Sequence, residues 1–398
     1  MKIALIIDHD IELVNGASYK SKQFFNWIRC HGHEVLLVFP SVNRVNPHRY
    51  RDGVTVVSIP SFPVPKYKEY CVPIPPLAIS LWLKKWKVDL FHVETINPTT
   101  LLLAYFMAKR SKAPIFNVLT AHVPMYANIL YPKENIVKKL SFRLAKRMMN
   151  FTSNRINGTF VLSNGMKKIL TDDFFHFKQD KVFKLRRPLD FNRFKGTSIG
   201  SDLFDPFHVK KGNRLVTLSR LADIKNIDFL IRSFAKHIYP QNKELHFFIG
   251  GHGPERENLE NLAKSLACPN IHFLGKIEPD AVPGFLQESD YFLYSSLSET
   301  FGNVVCEAKY SKLPVIALND DGGITDQILN EKTGMLVYHH DEKEFSDQFF
   351  NVFNNEKLRE SIQLNAHNDV TQNHDPEIIY SNLIKRYQDF IKDARCLQ

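Results

Sequence analysis

Two glutamates lie eight positions apart in the stretch "SETFGNVVCEA", residues 298–308. The surrounding pattern predicts a buried strand "DYFLYSS", a loop that carries Glu299, and a helix "NVVCEAKYSK" with Glu307 on the same face as Asn303. Glu299 is therefore expected at the carboxyl end of a strand, where open α/β sheets bind ligands. Two such carboxylates could form a glycosidase pair, surface charge on a helix, or two clamps on one ligand.

The start of this predicted helix suits a phosphate group. Gly302 allows close approach, and the first helical turn offers free backbone N–H groups and the positive end of the helix dipole. Upstream, "LSRLADIKN" places Arg220 at the end of a strand and Lys225 in the following loop. A guanidinium and an ammonium at that sheet edge suit a diphosphate. The alternative is a helix start with ordinary acidic residues and two solvated loop cations.

Other loops carry weaker signals. Residues 248–260 contain a Gly-x-Gly turn, and the paired glycines of "DDGGITDQI", residues 320–328, are most simply a tight turn. Gly16 lies between a strand and a helix, a position that suits a loop near a bound acceptor. His122 ends the predicted strand "PIFNVLTAH"; a lone histidine is more often structural, but this one is expected to face a cleft.

Short aliphatic runs alternate with longer helical periods along the chain, which is typical of parallel α/β sheets. The predicted strands are "KIALII", "EVLLVFP", "VTVVSIP", "DLFHV", "PIFNVLTAH" and "GTFVLS" in the first half, and "RLVTLSR", "LHFFIGG", "IHFLGKI", "YFLYSS" and "LPVIAL" in the second. Two doubly wound, Rossmann-like domains follow. A linker is predicted over residues 194–214, so the domains are 1–195 and 196–375, and 376–398 is an amphipathic helix that returns to the first domain.

Composition indicates a compact protein of a reducing compartment. The 398 residues, 44% of them hydrophobic, are enough for two cores. The five cysteines are scattered without a C-x-x-C pair, which argues against a disulfide framework or a zinc knuckle. The N-terminal apolar run is too short for a signal peptide, and no stretch reaches the ~20 apolar residues of a spanning helix. We expect a cytoplasmic protein.

Charge is divided unequally along the chain. Residues 1–200 hold 31 Lys and Arg against 13 Asp and Glu, a formal charge of +18, whereas the remaining residues carry −8. The first half is therefore expected to face something acidic: nucleic acid, an anionic lipid surface or a phosphorylated substrate.

One segment of the basic half has the pattern of a membrane-surface helix. In "PKENIVKKLSFRLAKRMMN", residues 132–150, an apolar stripe is formed by Ile136, Leu140, Leu144 and Met148. The basic residues lie mostly away from it and are Lys138, Lys139, Arg143, Lys146 and Arg147. Such a helix can lie on an anionic membrane. Equally, it can pack on the sheet with a solvated basic face.

The second half resembles the family-4 retaining glycosyltransferases, whose GT-B fold has two Rossmann-like domains facing a central cleft. The matching stretches are "SRLADIKNIDFLIRSF", "FFIGGHGPERENLENLA", "IHFLGKI", "SETFGNVVCEA" and "LPVIALNDDGGITDQI". More loosely, "HGHEVLLVFP", "DLFHVETINP", "VLTAHVPMY", "VLSNGMKKIL" and "RRPLDFNRF" are similar to the same family.

The resemblance implies a role for each matching residue. Glu299 would contact hydroxyls of the donor sugar, Glu307 would contact the ribose, and Arg220 and Lys225 would neutralise the diphosphate leaving group. His122 would lie near the reacting sugar. Further donor-binding positions are implied at Gly16, Lys276, Ile277, Phe301, Gly302, Asn303 and Val304. No metal ion or other cofactor is implied.

These roles favour one interpretation of the two glutamates. In a glycosidase both carboxylates flank one bond, roughly 5–10 Å apart. A second glutamate on a helix behind the phosphate site instead suggests that the two carboxylates bind different parts of one nucleotide-sugar.

Segments of the first half indicate the acceptor. "PSFPVPKYKEYCVPIPP" and "LTAHVPMYANIL" are similar to segments of family members that glycosylate diacylglycerol or phosphatidylinositol lipids. We therefore expect transfer of a hexose from a UDP- or GDP-linked donor to a lipid or lipid-linked acceptor, with the basic half held peripherally at the cytoplasmic membrane face. A surface polysaccharide or a soluble acceptor is the alternative.

Two other classes of protein are less consistent with the sequence. A nucleotide-sugar epimerase on the same fold would need no separate acceptor, and the intact pair of glutamates disfavours it. A nucleic-acid-binding protein is disfavoured because aromatic and basic residues do not interleave in a recognisable RNA motif.

Overall fold

The computed structural model describes residues 1–8, 16–41, 48–49, 54–64, 67–73, 86–119, 136–196 and 201–396. The chain divides into two compact units. Unit 1 comprises Met1–Leu185 with Tyr380–Gln398, and unit 2 comprises Arg186–Ile379. Each unit is built on a mainly parallel sheet with helices packed against it, so the predicted fold class of two Rossmann-like α/β domains is confirmed.

The sheet of unit 1 has nine strands among the described residues. They are β1 Lys2–Ile7, β2 Glu34–Ser41, β3 His48–Arg49, β4 Thr55–Val64, β5 Tyr67–Pro73, β6 Leu90–Glu94, β7 Ile115–Leu119, β8 Gly158–Val161 and β9 Val182–Lys184. The order is β3-β4-β2-β1-β6-β7-β8-β9, and β5 pairs with β4. The pairings of β3 and β5 with β4 are antiparallel, and the others are parallel. Residues 3–7 of the central strand are at most 1% exposed, since a parallel sheet is covered on both faces.

The helices of unit 1 connect these parallel strands. They are α1 Gly16–Cys30, α2 Pro98–Ser111, α3 Ile136–Ser153 and α4 Asn164–Lys168, and α4 continues as a π-helical turn over Ile169–Asp173. The start of α2 illustrates how local residues determine where a helix begins. The Asn97 side chain accepts a hydrogen bond from Thr99 N, and Pro98 occupies the first turn, where a missing N–H leaves no hydrogen bond unmade.

Unit 2 is built on six parallel strands. They are β10 Arg214–Leu218, β11 His246–Gly250, β12 Ile271–Gly275, β13 Tyr291–Tyr294, β14 Val315–Leu318 and β15 Met335–Val337. The order is β12-β11-β10-β13-β14-β15. The strand order reverses between β10 and β13, and the loops that leave their carboxyl ends diverge there. Ligands of open α/β sheets bind at such a switch point.

The helices of unit 2 fill the crossovers between its strands. They are α5 Ile227–Ser233, α6 Arg256–Ser265, α7 Val282–Gln287, α8 Asn303–Tyr310, α9 Gly323–Gln327, α10 Glu342–Asn354 and α11 Glu356–Asn373. The last helix, α12 Pro376–Cys396, begins in unit 2, and its residues from Tyr380 belong to unit 1. There the fully buried Tyr387 packs against Phe116, and its hydroxyl lies 2.8 Å from His92 Nδ1.

The segment predicted as a linker is residues 194–214, and its residues 201–214 pack on unit 2 instead. Ser201–Phe207 forms 3₁₀-helical turns, and Phe204 is fully buried with its ring 4.8 Å from that of Phe248. The glycine, serine and proline content suggested a linker, but a single buried aromatic ring removes enough apolar surface from water to hold a short segment in place. The division between the units falls ten residues before the predicted boundary at residue 195.

A buried carboxylate ends β1. Asp8 is 5% exposed, and its Oδ2 accepts hydrogen bonds from Thr95 Oγ1 and, at 3.0 Å, from Ile96 N. These bonds join the end of β1 to the loop after β6. Burial raises the pKa of Asp8 to about 6, although the same hydrogen bonds oppose the rise.

Replacing Asp8 with asparagine should remove a pH-dependent loss of stability. The folded carboxyl keeps its proton up to about pH 6, whereas the unfolded one releases it near 3.8, so the wild type loses stability as the pH rises between these values. From about pH 4 to pH 7, we expect the thermal midpoint of Asp8→Asn to rise relative to that of wild type. Over this pH range, the free energy of unfolding of wild type should fall relative to that of Asp8→Asn by an amount on the order of 1–3 kcal/mol.

The control is Asp89→Asn, which changes a half-buried aspartate at the amino end of β6. This variant should follow the pH dependence of the wild type. A difference between Asp8→Asn and wild type that stays constant across the pH range would contradict the assignment.

Candidate functional site

The two glutamates lie on either side of the start of α8. The strand β13 ends at Tyr294, and α8 begins at Asn303 after Gly302, whose φ is 82°. A Cβ at Gly302 would lie 2.5 Å from Ile324 Cδ1, so this left-handed position needs glycine. Within the described part of the chain, the backbone N–H groups of Gly302, Asn303 and Val304 donate to no acceptor. The helix start therefore offers free donors and a positive dipole end to an anion.

The carboxylate of Glu299 is held through one of its oxygens. Oε1 accepts a hydrogen bond from Tyr294 Oη at 2.6 Å and forms an ion pair with Lys225 Nζ. All the hydrogen bonds that described residues donate to this carboxylate fall on Oε1, which leaves Oε2 for a ligand. Burial and the nearby Glu299 charge hold the pKa of Tyr294 well above its usual range, so Tyr294 remains a neutral donor.

The backbone of Glu299 is held by the loop after the neighbouring strand β14. Asp320 Oδ2 accepts from Glu299 N at 2.9 Å, and Gly323 N donates to Glu299 O at 2.8 Å. The other oxygen of Asp320 accepts from Gly322 N, also at 2.9 Å. A Cβ at Gly323 would lie 2.5 Å from Phe301 N. The paired glycines are a tight turn, as predicted, and they also allow this loop to approach the backbone around Glu299.

Glu307 is paired with a cation from a distant part of the chain. Arg193 Nη1 donates to Glu307 Oε1 at 3.0 Å, and Arg193 Nη2 donates to Pro279 O at 2.6 Å. Both charged side chains are largely buried, at 17% and 14% exposed. Pro279 lies in the loop that begins with Lys276 and Ile277, the residues predicted to border the base. One guanidinium therefore connects Glu307 to that loop.

Lys225 and Arg220 both lie in the loop after β10. Lys225 ends a single 3₁₀ turn, Asp223–Lys225, and its carbonyl accepts from Ser295 Oγ at 2.9 Å. Since Ser295 directly follows β13, this bond fastens the Lys225 turn to the loop of Glu299. Arg220 is exposed, and no carboxylate of the described residues forms an ion pair with it. Two cations of the predicted set thus share the sheet edge with Glu299.

The Gly-x-Gly turn after β11 supports the backbone around Arg220. Ser219 N donates to Gly250 O at 3.1 Å. A Cβ at Gly251 would lie 1.8 Å from Ser219 O, and a Cβ at Gly253 would lie 2.1 Å from the carbonyl oxygen of Leu221. No side chain fits at either glycine without moving the segment that carries Arg220.

Four predicted site residues remain: Lys276, Ile277, Gly16 and His122. Ile277 packs against the apolar core of unit 2. Lys276 is 66% exposed and pairs with Glu278 at 2.6 Å. Gly16 is the first residue of α1 in unit 1, and His122 lies outside the described residues.

Three residues of the arrangement were not predicted: Tyr294, Asp320 and Arg193. Tyr294 lies in an apolar strand and therefore resembles a core residue, and Arg193 is 114 positions from its partner Glu307. Asp320 did carry a signal, because an aspartate just before a glycine-rich helix start commonly accepts hydrogen bonds from the backbone of the first turn.

No three His, Cys, Asp or Glu side chains are grouped as metal ligands among the residues that the structure describes. The expectation of a metal-independent reaction stays a prediction.

Two family models match the chain. The model described as Glycosyl transferases group 1 matches residues 201–369, within unit 2. The model described as Glycosyltransferase Family 4 matches residues 16–193, almost all of them in unit 1. Together the two matches span most of the chain.

Curated relatives align over much of the same length. The alpha-monoglucosyldiacylglycerol synthase of Streptococcus pneumoniae is 24% identical over 349 residues, which are 86% of this chain and 76% of that protein. The protein of the same name from Acholeplasma laidlawii is 22% identical over 378 residues, 92% of each chain.

A solved structure shares the fold. The crystal structure of Anabaena HepE in complex with UDP matches with a TM-score of 0.74 and 16% identity, and the match covers 98% of this chain and 100% of that one. Because both halves match glycosyltransferase models and the fold is shared over nearly the whole length, the chain belongs to glycosyltransferase family 4 and is a glycosyltransferase with the GT-B fold.

Proposed function

We propose that this protein transfers a hexose, with retention of anomeric configuration, from a UDP- or GDP-linked donor to a lipid or lipid-linked acceptor at the cytoplasmic membrane face. The observation that carries the donor assignment is the loop and helix of residues 298–310. One carboxylate there is paired with Lys225 beside a helix start with free N–H groups, and a second carboxylate is paired with Arg193. The two relatives named as alpha-monoglucosyldiacylglycerol synthases support the lipid acceptor.

The proposed reaction assigns the chain's own cations to the leaving group. The bond between the anomeric carbon and the diphosphate oxygen breaks, and the oxygen keeps the electron pair. Arg220, Lys225 and the free amides at the start of α8 stabilise the charge that develops there. The acceptor hydroxyl forms the new bond on the same face of the sugar, and its proton passes to the diphosphate. In this proposal no resident metal ion is needed.

The carboxylates orient the donor in this proposal. The free Oε2 of Glu299 accepts hydrogen bonds from sugar hydroxyls, and Glu307 accepts from the ribose. Arg193 keeps Glu307 in place and connects it to the loop at Lys276 and Ile277. A place for His122 near the reacting sugar remains part of the proposal.

The membrane surface is assigned to one face of α3 and α2. On α3, Leu140 and Leu144 are 67% and 59% exposed, and Phe151 is 42% exposed. Phe106 of α2 is 54% exposed, and Tyr105 connects the two helices through ring contacts with Phe106 and Phe151. We call these residues the apolar face. The packed side of α3 is a different one, where Met149, Thr152 and Ser153 are buried.

Charge around the apolar face is of one sign. Lys139, Arg143 and Arg147 on α3 and Lys109 and Arg110 on α2 are exposed. Neither helix contains an acidic residue. Exposed leucine and phenylalanine side chains bordered by basic residues match the chemistry of an anionic lipid surface. None of the helices that the structure describes has the length and hydropathy required to span a bilayer.

The donor assignment is tested by a calorimetric panel of UDP- and GDP-sugars, followed by product analysis with diacylglycerol vesicles, soluble sugars or no acceptor. Selective binding of one donor and an α-linked glycolipid, identified by the NMR coupling of its anomeric proton, would support the proposal. A product with inverted configuration would contradict retention. A new nucleotide-sugar formed without acceptor would indicate an epimerase.

Replacing Glu307 with alanine should weaken nucleotide binding more than replacing Glu299. Glu307→Ala removes acceptors for ribose hydroxyls and leaves Arg193 without its carboxylate, so we expect the Kd of UDP or GDP to rise about tenfold or more by titration calorimetry. Glu299→Ala should instead lower kcat, with a smaller change in nucleotide Kd, because its free oxygen faces the sugar.

Glu288→Ala is the matched control for this pair. Glu288 forms ion pairs with Lys211 and Arg214 at the opposite edge of the same sheet. Its removal should leave nucleotide Kd unchanged. If Glu307→Ala also binds nucleotide as tightly as wild type, the ribose assignment is wrong.

Removing two leucines of the apolar face should release the protein from anionic vesicles. Wild type should bind phosphatidylglycerol-containing vesicles in sedimentation assays, less tightly as salt increases. We expect the double variant Leu140→Ser/Leu144→Ser to bind at least about tenfold more weakly, since burial of leucine contributes on the order of 1–3 kcal/mol per side chain.

Leu364→Ser is the control for exposed leucine. Leu364 is 57% exposed on α11 of unit 2, away from the basic half of the sequence. This variant should sediment like wild type. Equal vesicle binding by the double variant and by wild type would exclude the apolar face as the membrane surface.

A further inference from the structure

A buried ammonium group lies in the helix that carries Glu307. Lys309 of α8 is fully buried, and its Nζ donates to Asp369 Oδ2 at 2.7 Å and to Gln327 O at 2.6 Å. A buried charge is unfavourable unless it is paired and hydrogen-bonded, so the ammonium depends on both partners. Lys309 thereby connects α8 to α11, through Asp369, and to the end of α9.

The side chain of Gln327 extends this connection to the helix start. Gln327 is 7% exposed, and its Nε2 donates to Phe301 O and, at 3.1 Å, to Gly302 O. The same residue thus accepts from Lys309 through its backbone and donates to the loop through its amide. A continuous set of hydrogen bonds runs from Asp369 through Lys309 and Gln327 to Gly302.

The two carbonyls that Gln327 holds determine where two N–H groups point. A trans peptide group is planar, and its C=O and N–H point in opposite directions. The peptide group of Phe301 O contains the N–H of Gly302, and that of Gly302 O contains the N–H of Asn303. Fixing both carbonyls on the Gln327 side therefore fixes both N–H groups on the other side. Neither N–H has an acceptor among the described residues.

The backbone conformation of Gly302 does not by itself fix the directions of these N–H groups. Its φ of 82° is in the left-handed region, in which glycine is freer than any other residue. Successive N–H groups around such a residue form a concave site for an anion. Gly302 O also accepts from Val305 N at 3.1 Å and from Cys306 N at 3.3 Å, so the peptide group after Gly302 is held by α8 as well. The peptide group before Gly302, whose carbonyl is that of Phe301, would be free to turn without Gln327.

We propose that Gln327, held in place by Lys309 and Asp369, is a positioning residue that aims the N–H group of Gly302, beside that of Asn303, at the donor diphosphate. The inference rests on the proposed function, because the diphosphate is that of the nucleotide-sugar. Lys309 and Asp369 act through Gln327 and do not touch the ligand. Their effect should therefore be selective for the phosphate part of the donor.

The test compares a nucleoside diphosphate with the same nucleoside lacking phosphate. Gln327→Met keeps the length of the side chain and removes both N–H donors. With UDP or GDP, whichever wild type binds more tightly, we expect the variant's Kd to rise about tenfold to 100-fold by calorimetry. Binding of the bare nucleoside, followed by ligand-observed NMR, should change less than about twofold.

Asp369→Asn gives a second, milder variant. Asp369 is 28% exposed at its side chain, so the variant should fold, and it removes the charge that pairs with Lys309. We expect a selective rise in diphosphate Kd of about threefold to tenfold, smaller than for Gln327→Met, because Asp369 acts through two other residues. Ser289→Ala, which removes a buried hydrogen bond at the amino edge of the same sheet, should change neither affinity.

The outcomes separate this inference from the proposed function. Equal losses for diphosphate and nucleoside would indicate general loosening of unit 2 and overturn the positioning role. Unchanged diphosphate binding by Gln327→Met would overturn it as well. A wild type that binds neither UDP nor GDP would overturn the proposed function itself, and the positioning role with it.

Discussion

The candidate site depends on the attachment of one loop to another, through the backbone of Glu299. Its N–H is bonded to Asp320 and its C=O to the N–H of Gly323, so the loop after β13 cannot move independently of the loop after β14. In a parallel sheet these loops leave the same edge, and adjacent strands bring them within hydrogen-bonding distance. This attachment fixes the loop that carries Glu299 and leads to the start of α8. Lys225 is joined to the same loop through Ser295.

Each carboxylate of the pair is balanced by a cation of the protein itself. Glu299 is paired with Lys225, and Glu307 is paired with Arg193. Since these side chains are largely buried, an unpaired carboxylate would carry a large desolvation penalty. Pairing lets the site keep carboxylate acceptors next to backbone donors, which the nucleotide-sugar of the proposed function would require.

The two units differ in their polar contacts and in their surfaces. Unit 2 is held by precise polar contacts, including the fully buried Lys309 and a Gly-Gly turn that approaches backbone atoms closely. Unit 1 instead carries most of the positive charge and an apolar face on α2 and α3 that no described element covers. Contacts of the first kind fix the backbone of the candidate site. A basic and apolar surface is suited to a large and fluid partner, because binding to such a partner does not require contacts at fixed positions.

The sequence by itself determined eleven of the fifteen described strands, the two Rossmann-like domains, and the approximate positions of Glu299, Glu307, Arg220 and Lys225. Hydrophobic periodicity and helix-start signals are local, and they persist in any context that buries the sheet. The tertiary structure alone decided that Arg193 pairs with Glu307, that Gln327 holds the carbonyls around Gly302, and that residues 201–214 of the predicted linker pack on unit 2. These contacts join residues far apart in the chain, and no local pattern states which of many buried or charged side chains will meet once the strands are ordered.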